Sequence, residues 1–167
     1  MHYNRIHIIG PAGSGKTELA LRLSNLLGFP AFNLDHLAFI DAAEGTFEQP
    51  RSRIERLSAV EDYSKLPSWI AEGTYFSWVG KSFKNADIIV HLNSPHHVRA
   101  YNLRQRHSSL SNNDSNERLN YLLEQSSSFD SLYNGRISGF LKPFHGKLRE
   151  FTGPGKAYKF FIRLSQK

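Results

Sequence analysis

Near the amino terminus the chain carries Gly10-Pro11-Ala12-Gly13-Ser14-Gly15-Lys16-Thr17, which satisfies the pattern G-x-x-x-x-G-K-[ST]. Gly10, Gly13 and Gly15 can take backbone conformations closed to other residues, so successive N–H groups turn inward around a β-phosphate at the positive end of the helix that follows. Lys16 is then placed to reach the β- and γ-phosphates. Thr17 offers a hydroxyl to Mg²⁺, whose preference for hard oxygen ligands is completed by phosphate oxygens and water. The chemistry implied is capture of a nucleoside triphosphate, ATP or GTP, with Mg²⁺. The flanks are those the mechanism needs. Ile6-His7-Ile8-Ile9 is a short apolar strand before the loop, and Leu19, Leu23, Leu26 and Leu27 mark a helix after it, closed by Gly28 and Pro30.

In open α/β sheets, ligands sit beyond the carboxyl ends of the strands. Three predicted strand ends carry polar residues there: Asp35 with His36, Glu72 with Gly73 and Thr74, and Asn93 with Ser94. Phosphoryl transfer asks the protein for a carboxylate that receives the acceptor's proton or orients Mg²⁺. Asp35 is the first candidate, as proton acceptor or as a positioner of the acceptor. Glu72 is the second, as a ligand to Mg²⁺-bound water or, with Gly73, as a contact to the acceptor. The competing readings are a helix cap for Asp35 and a solvated turn for Glu72. The histidines His36, His96 and His97 lack a third ligand at convincing spacing for a zinc site and are read as loop or cap residues.

Arg99, Arg104 and Arg106 fall on the helix expected after the fourth strand, and Arg118 follows the polar tract 108–116. A guanidinium delivered by a mobile segment can neutralise charge developing on a transferred phosphoryl group. Arg104 and Arg106 cannot share one helical face, so only one of them is expected to touch the phosphates. Trp69, Tyr75, Phe76 and Trp78 are candidates either for an acceptor pocket or for the core. No strand ends in the apolar-run-plus-Asp pattern of motor ATPases, since Ile88 to Leu92 includes His91 and leads to Asn93. Phe83-Lys84-Asn85-Ala86-Asp87 has the wrong order for a guanine-reading Asn-Lys-x-Asp.

The elements that must position these residues alternate strand with helix, which predicts a parallel sheet covered on both faces. Strands are expected at 6–9, 31–34, 69–71, 87–92 and 157–162. The predicted helices include one opening at Pro50 with Ile54, Leu57 and Val60 on its inner face, and a short one within 75–83. Another runs from Ser94-Pro95 through Arg106, and one carries Leu119, Leu122 and Leu123 until Ser126-Ser127-Ser128 interrupts it. The stretch 129–148 is expected to be helical, 153–155 a turn, and the tract 108–116 a mobile surface excursion.

A length of 167 residues with 40% hydrophobic content suits one α/β domain. The absence of cysteine excludes disulfides, thiolate zinc sites and a thiol nucleophile. No apolar run approaches the roughly 20 residues of a membrane span, and no secretory signal is seen, so a cytoplasmic location is expected. A formal charge of +6 and a pI near 9.7 point to an anionic partner without choosing one.

Taken together, these residues resemble the adenylate-kinase-like P-loop kinases, and most closely the bacterial family of DNA topology modulation (FlaR-related) proteins. The resemblance rests on His7-Ile8-Ile9 through Lys16-Thr17, Leu34-Asp35-His36-Leu37, Trp69-Ile70-Ala71-Glu72-Gly73-Thr74-Tyr75, Ala86-Asp87-Ile88-Ile89-Val90-His91-Leu92 and Leu103-Arg104-Gln105-Arg106. It implies one P-loop kinase-like domain over 1–167, a three-layer α/β/α P-loop NTPase fold with a five-stranded parallel sheet, and a helical, mobile lid over approximately 104–135. It further implies an ATP site at residues 10–17, an acceptor site near Asp35 and Glu72-Gly73, and lid arginines at Arg104 and Arg106. The activity expected is transfer of the γ-phosphoryl group of ATP to a small acceptor such as a nucleoside or nucleoside monophosphate. The alternative is a nucleotide-dependent regulator acting on DNA topology or on a protein partner, against which the lack of a DNA-reading motif counts.

Overall fold

A computed structural model describes residues 3–41, 49–109 and 116–166. Its centre is a parallel sheet of five strands: β1 (Arg5–Ile9), β2 (Ala31–Asn33), β3 (Trp69–Gly73), β4 (Ile88–Leu92) and β5 (Leu148–Phe151), in spatial order β2-β3-β1-β4-β5. β1 lies in the middle, in register with β3 from Arg5 opposite Trp69 to Ile9 opposite Gly73, and with β4 from Ile6 opposite Ile88 to Ile9 opposite His91. A strand covered on both faces needs a continuous buried run, and Ile6 to Ile9, Trp69 to Gly73 and Ile88 to Leu92 are all buried.

The helices are α1 (Lys16–Leu27), α2 (Leu34–Ala38), α3 (Arg53–Ser64), α4 (Gly80–Asn85), α5 (His96–Ser109), α6 (Asn116–Leu132), α7 (Ser138–Leu141) and α8 (Pro154–Ser165). Alternation along the strands divides the core between the two faces of the sheet. Ile6, Ile8, Ile70, Ile88 and Val90 pack with Leu19, Leu23, Ala157 and Phe161 of α1 and α8. Ile9, Trp69, Ala71 and Ile89 pack with residues of α2, α3, α4, α6 and α7. The result is the expected three-layer arrangement.

Several boundaries differ from the sequence reading. The last strand is Leu148–Phe151, and 157–162 is helix. Pro154 sits in the first turn of α8, and the buried Ala157 and Phe161 lie four residues apart, which is a helical period. The β-prone aromatics of that segment yield to this packing. Pro50 forms an isolated antiparallel bridge with Phe39, and α3 opens three residues later behind a capping box. There Glu55 N–H donates to Ser52 Oγ at 3.2 Å and Ser52 N–H donates to Glu55 Oε2 at 2.8 Å. Ile54 is consequently turned to solvent at 81% exposure, and Val60 and Tyr63 carry the inner face.

Leu34 belongs to α2 rather than to β2, because the Asn33 side chain accepts the Asp35 N–H at 2.8 Å and starts the helix there. Ser126 to Ser128 do not interrupt α6. Their hydroxyls donate to carbonyls, those of Ser127 and Ser128 to the preceding turn, so the helix continues. Beyond it lie a π turn over Tyr133–Ile137, α7 and a 3-10 stretch over Lys142–Lys147. Within 75–83, helix begins only at Gly80. Of the excursion expected at 108–116, residues 110–115 lie outside the described residues. Among the described residues no helix is long and apolar enough to cross a membrane.

Candidate active site

The loop 10–17 leaves the carboxyl end of β1 and becomes α1 at Lys16. Gly13 and Gly15 hold φ at 79° and 89°, the left-handed region that a side chain disfavours. A Cβ on Gly13 would also lie 2.4 Å from the Arg99 carbonyl oxygen, so α5 packs directly against the outside of the loop. Within the loop the Lys16 ammonium folds back and donates to the Pro11 carbonyl at 2.9 Å. Ser14 Oγ is buried without a partner. A retained ammonium, an orphaned hydroxyl and a tightly wound glycine backbone form a cradle that suits an anion, and the donor chemistry fits polyphosphate.

Lys16 stands in a cluster of charges. Burial pushes its ammonium below the usual lysine range; Glu72 and Asp35 pull it back up, and Arg106 adds to the depression. Glu72, at the end of β3 and 4% exposed, accepts the Thr17 hydroxyl at 2.9 Å. Burial raises the Glu72 carboxyl, with Lys16 and the Thr17 hydrogen bond opposing and Asp35 adding to the rise. The Thr17 hydroxyl and the Glu72 carboxylate thus share one locus of hard oxygen donors, which fits a Mg²⁺ site completed by phosphate and water. Asp35 reaches the same locus from the first turn of α2. A side chain at Gly73 would meet Leu34 Cβ at 2.8 Å, so the bare glycine is what lets α2 press onto β3 and bring Asp35 beside Glu72.

The structure brings Lys16, Thr17, Asp35 and Glu72 together, with Arg106 near enough for its charge to act on Lys16. Arg104 and Arg106 are both exposed and, two residues apart, lie about 200° from each other round the helix. The face of α5 turned to the loop carries Arg99, Asn102, Leu103 and Arg106, spaced i, i+3, i+4, i+7. Arg99 and Leu103 are buried, and Asn102 Nδ2 donates to the Gly13 carbonyl at 2.9 Å. That spacing is visible in the sequence and is the signal that separates Arg106 from Arg104.

Of two further residues near Asp35, Tyr75 is one of the aromatics expected in pocket or core, and Arg56 has no signal in the sequence. The Tyr75 hydroxyl donates to Asp35 Oδ1 at 2.7 Å, and burial together with the Asp35 charge raises its pKa, so it stays a donor. Arg56 of α3 lies near Tyr75, its guanidinium 5.7 Å from the Trp78 ring and its Nε buried without a partner. Trp69 and Trp78 themselves are core. Arg99, fully buried, spends its guanidinium on a two-pronged ion pair with Asp130 of α6, both contacts at 2.8 Å. Its role is therefore to join helices.

No family model and no curated protein matches this chain. Solved structures do. Shikimate kinase from Acinetobacter baumannii in complex with shikimate superposes with a TM-score of 0.57 at 19% identity, covering 97% of this chain and 93% of that one. Shikimate kinase from Bacteroides thetaiotaomicron gives 0.57 at 15% identity, over 99% and 100% of the two chains. Deoxyadenosine kinase from M. mycoides with bound dATP gives 0.55 at 12% identity, over 97% and 99%. The chain has the P-loop kinase fold. At these identities the likeness is one of architecture, and the choice of substrate has to be argued from the side chains.

Proposed function

We propose that this P-loop kinase fold carries out phosphoryl transfer, from the γ-position of ATP to a small acceptor of the nucleoside or nucleoside monophosphate class. The observation that carries the reading is the convergence of Lys16, Thr17, Asp35 and Glu72 at the carboxyl end of the central strands, with Arg106 near enough for its charge to act on Lys16. The loop residues Gly10, Pro11, Ala12, Gly13, Ser14 and Gly15 hold the phosphates with Lys16. Thr17 and, through water, Glu72 would hold Mg²⁺, which would supply charge neutralisation to the phosphates. Arg106 steadies charge on the phosphoryl group in flight.

In the reaction the acceptor oxygen forms a bond to the γ-phosphorus and the bond from that phosphorus to the β,γ-bridging oxygen breaks, leaving the electron pair on ADP. Where the acceptor is a hydroxyl, Asp35 receives its proton; the anionic oxygen of a monophosphate has none to give, and there Asp35 positions the acceptor. Tyr75 occupies Oδ1 of that carboxylate and fixes its plane, so Oδ2 is the oxygen that meets the acceptor. Arg56, a cation near Tyr75 with no carboxylate partner among the described residues, favours an acceptor that bears negative charge, which within this class is the monophosphate. This reading agrees with the resemblance to adenylate-kinase-like enzymes of the FlaR-related family.

The test is ATP consumption with Mg²⁺ against a panel of nucleosides, nucleoside monophosphates and small hydroxylated metabolites. Acceptor-dependent turnover that falls by orders of magnitude in a folded Lys16→Ala protein is the expected result. Full phosphotransfer by that variant would overturn it.

A further inference from the structure

The outer side of the phosphate loop is as ordered as its inner side. Three consecutive carbonyl oxygens point away from the cradle, and each accepts a hydrogen bond from a different segment. Ser126 of α6, wholly buried, donates to Ala12 O at 3.0 Å; Asn102 of α5 donates to Gly13 O at 2.9 Å; Ser94, just before α5, donates to Ser14 O at 3.2 Å. In a trans peptide the C=O of one residue and the N–H of the next point in opposite directions. Holding these oxygens outward therefore turns the N–H groups of Gly13, Ser14 and Gly15 toward the inside. The Ser14 N–H is engaged with Pro11 O at 3.2 Å, and the peptide geometry leaves those of Gly13 and Gly15 for the cradle.

Two of the three clamps belong to α5, which carries Arg106, and to α6, which packs against it. α5 and α6 are themselves locked by the Arg99–Asp130 pair, buried on the Arg99 side, and the Arg99 carbonyl stands against Gly13. Loop and helix pair form one connected body in which the Ala12 and Gly13 carbonyls cannot rotate without moving a helix-borne side chain.

We propose that Asn102 and Ser126 are positioning residues that aim the loop amides inward and transmit occupancy of the loop to α5 and α6, so that binding of phosphate and placement of Arg106 are one event. The proposal rests on the phosphate-binding reading of the loop and goes beyond it in assigning the coupling to two neutral side chains.

The experiment is hydrogen exchange of the full chain with and without inorganic tripolyphosphate and Mg²⁺, for the wild type and for Asn102→Ala/Ser126→Ala. In the wild type, tripolyphosphate is expected to slow exchange in 10–17 and also in 96–109 and 116–132. In the double variant the slowing persists in 10–17 and is lost from the two helices, while tripolyphosphate affinity falls about tenfold, the consequence of two missing neutral hydrogen bonds. Slowing of both helices that survives in the double variant overturns the proposal. So does slowing confined to 10–17 in the wild type, a result that needs no variant to fold. Absence of any slowing in 10–17 of the wild type would instead sink the phosphate-binding reading itself.

Discussion

The Arg99–Asp130 pair offers a prediction whose size follows from its burial. Arg99 is 0% exposed and Asp130 is 53% exposed, so the pair is asymmetric: the cation has no recourse to water, whereas the carboxylate does. Asp130→Ala strands a guanidinium that loses two 2.8 Å contacts and already has an unpartnered Nε. Breaking a buried pair from one side costs ~3–5 kcal/mol, and water entering where the half-exposed carboxylate stood brings the expectation to about 2–3 kcal/mol. Arg99→Met removes the buried charge, fills most of its volume and leaves Asp130 to solvent, for a cost of about 1 kcal/mol or less. At roughly 2–4 °C per kcal/mol for a chain of this size, the melting temperatures should fall by about 4–12 °C and by no more than about 4 °C respectively. Urea unfolding at pH 7 supplies the free energies, provided m is unchanged. Acid adds a second check. Arg99 holds the Asp130 carboxyl below its ordinary value of 3.8, so the carboxylate's contribution is fully present above that pH and is lost as pH falls through the lowered folded value. The gap between wild type and Asp130→Asn should accordingly be flat near neutrality and close below about pH 4. If Arg99→Met destabilises as much as Asp130→Ala, the asymmetric-desolvation argument is wrong.

Gly13→Ala forces a side chain into φ 79° and against the Arg99 carbonyl, so nucleotide affinity should collapse along with about 1–3 kcal/mol of stability. A titration with ATP that matches the wild type would contradict it. His7, buried on β1 with Ser82 Oγ 2.6 Å from Nδ1, has its pKa lowered by burial to about 3 from an ordinary 6.5. The unfolded chain binds that proton first, so stability is full above pH 6.5 and falls by at most about 1.4 kcal/mol per pH unit below it. His7→Asn should flatten that slope in denaturant titrations, and an unchanged slope would exclude His7 as its origin. Tyr75→Phe frees Asp35 Oδ1 without altering the apolar contact of the ring, and should lower kcat by about tenfold with ATP affinity intact. A variant in which ATP affinity falls instead would place Tyr75 on the nucleotide side.

What could be read from the sequence is what is local in it. The segment from Ile6 to Leu27 was legible because strand, loop and helix are contiguous and every constraint on them acts over a few residues. β5 was missed because it is four residues long and only Leu148 and Phe151 are partly buried, too little apolar pattern to stand out. α8 was mistaken for it because Tyr158, Phe160, Phe161 and Ile162 are β-prone residues, though Ala157 and Phe161 face the sheet one helical turn apart. Ser126 was read as part of a helix-breaking run, yet its hydroxyl has a distant partner in Ala12 that no local rule supplies. Asp35 and Glu72 were visible as strand-end carboxylates. Tyr75 was visible only as one of several aromatics fit for pocket or core, and Arg56 not at all, because only the approach of α2 and α3 to β3 makes them neighbours.

The two sides of the site are therefore under different kinds of constraint. On the phosphate side the backbone does the binding, and its conformation is fixed by glycines within and by hydroxyl and amide clamps without, so few substitutions there preserve the cradle. On the acceptor side the contacts are made by side chains from three separate segments: Asp35 on α2, Arg56 on α3, and Glu72 with Tyr75 at the end of β3 and just beyond it. Asp35, Arg56 and Tyr75 hold no loop carbonyl and can change without disturbing the loop, whereas Glu72 is tied to it through the Thr17 hydroxyl. On the proposed reading, acceptor preference is free to diverge while phosphate handling stays fixed, and substitutions at Asp35, Arg56 and Tyr75 are the ones expected to change it.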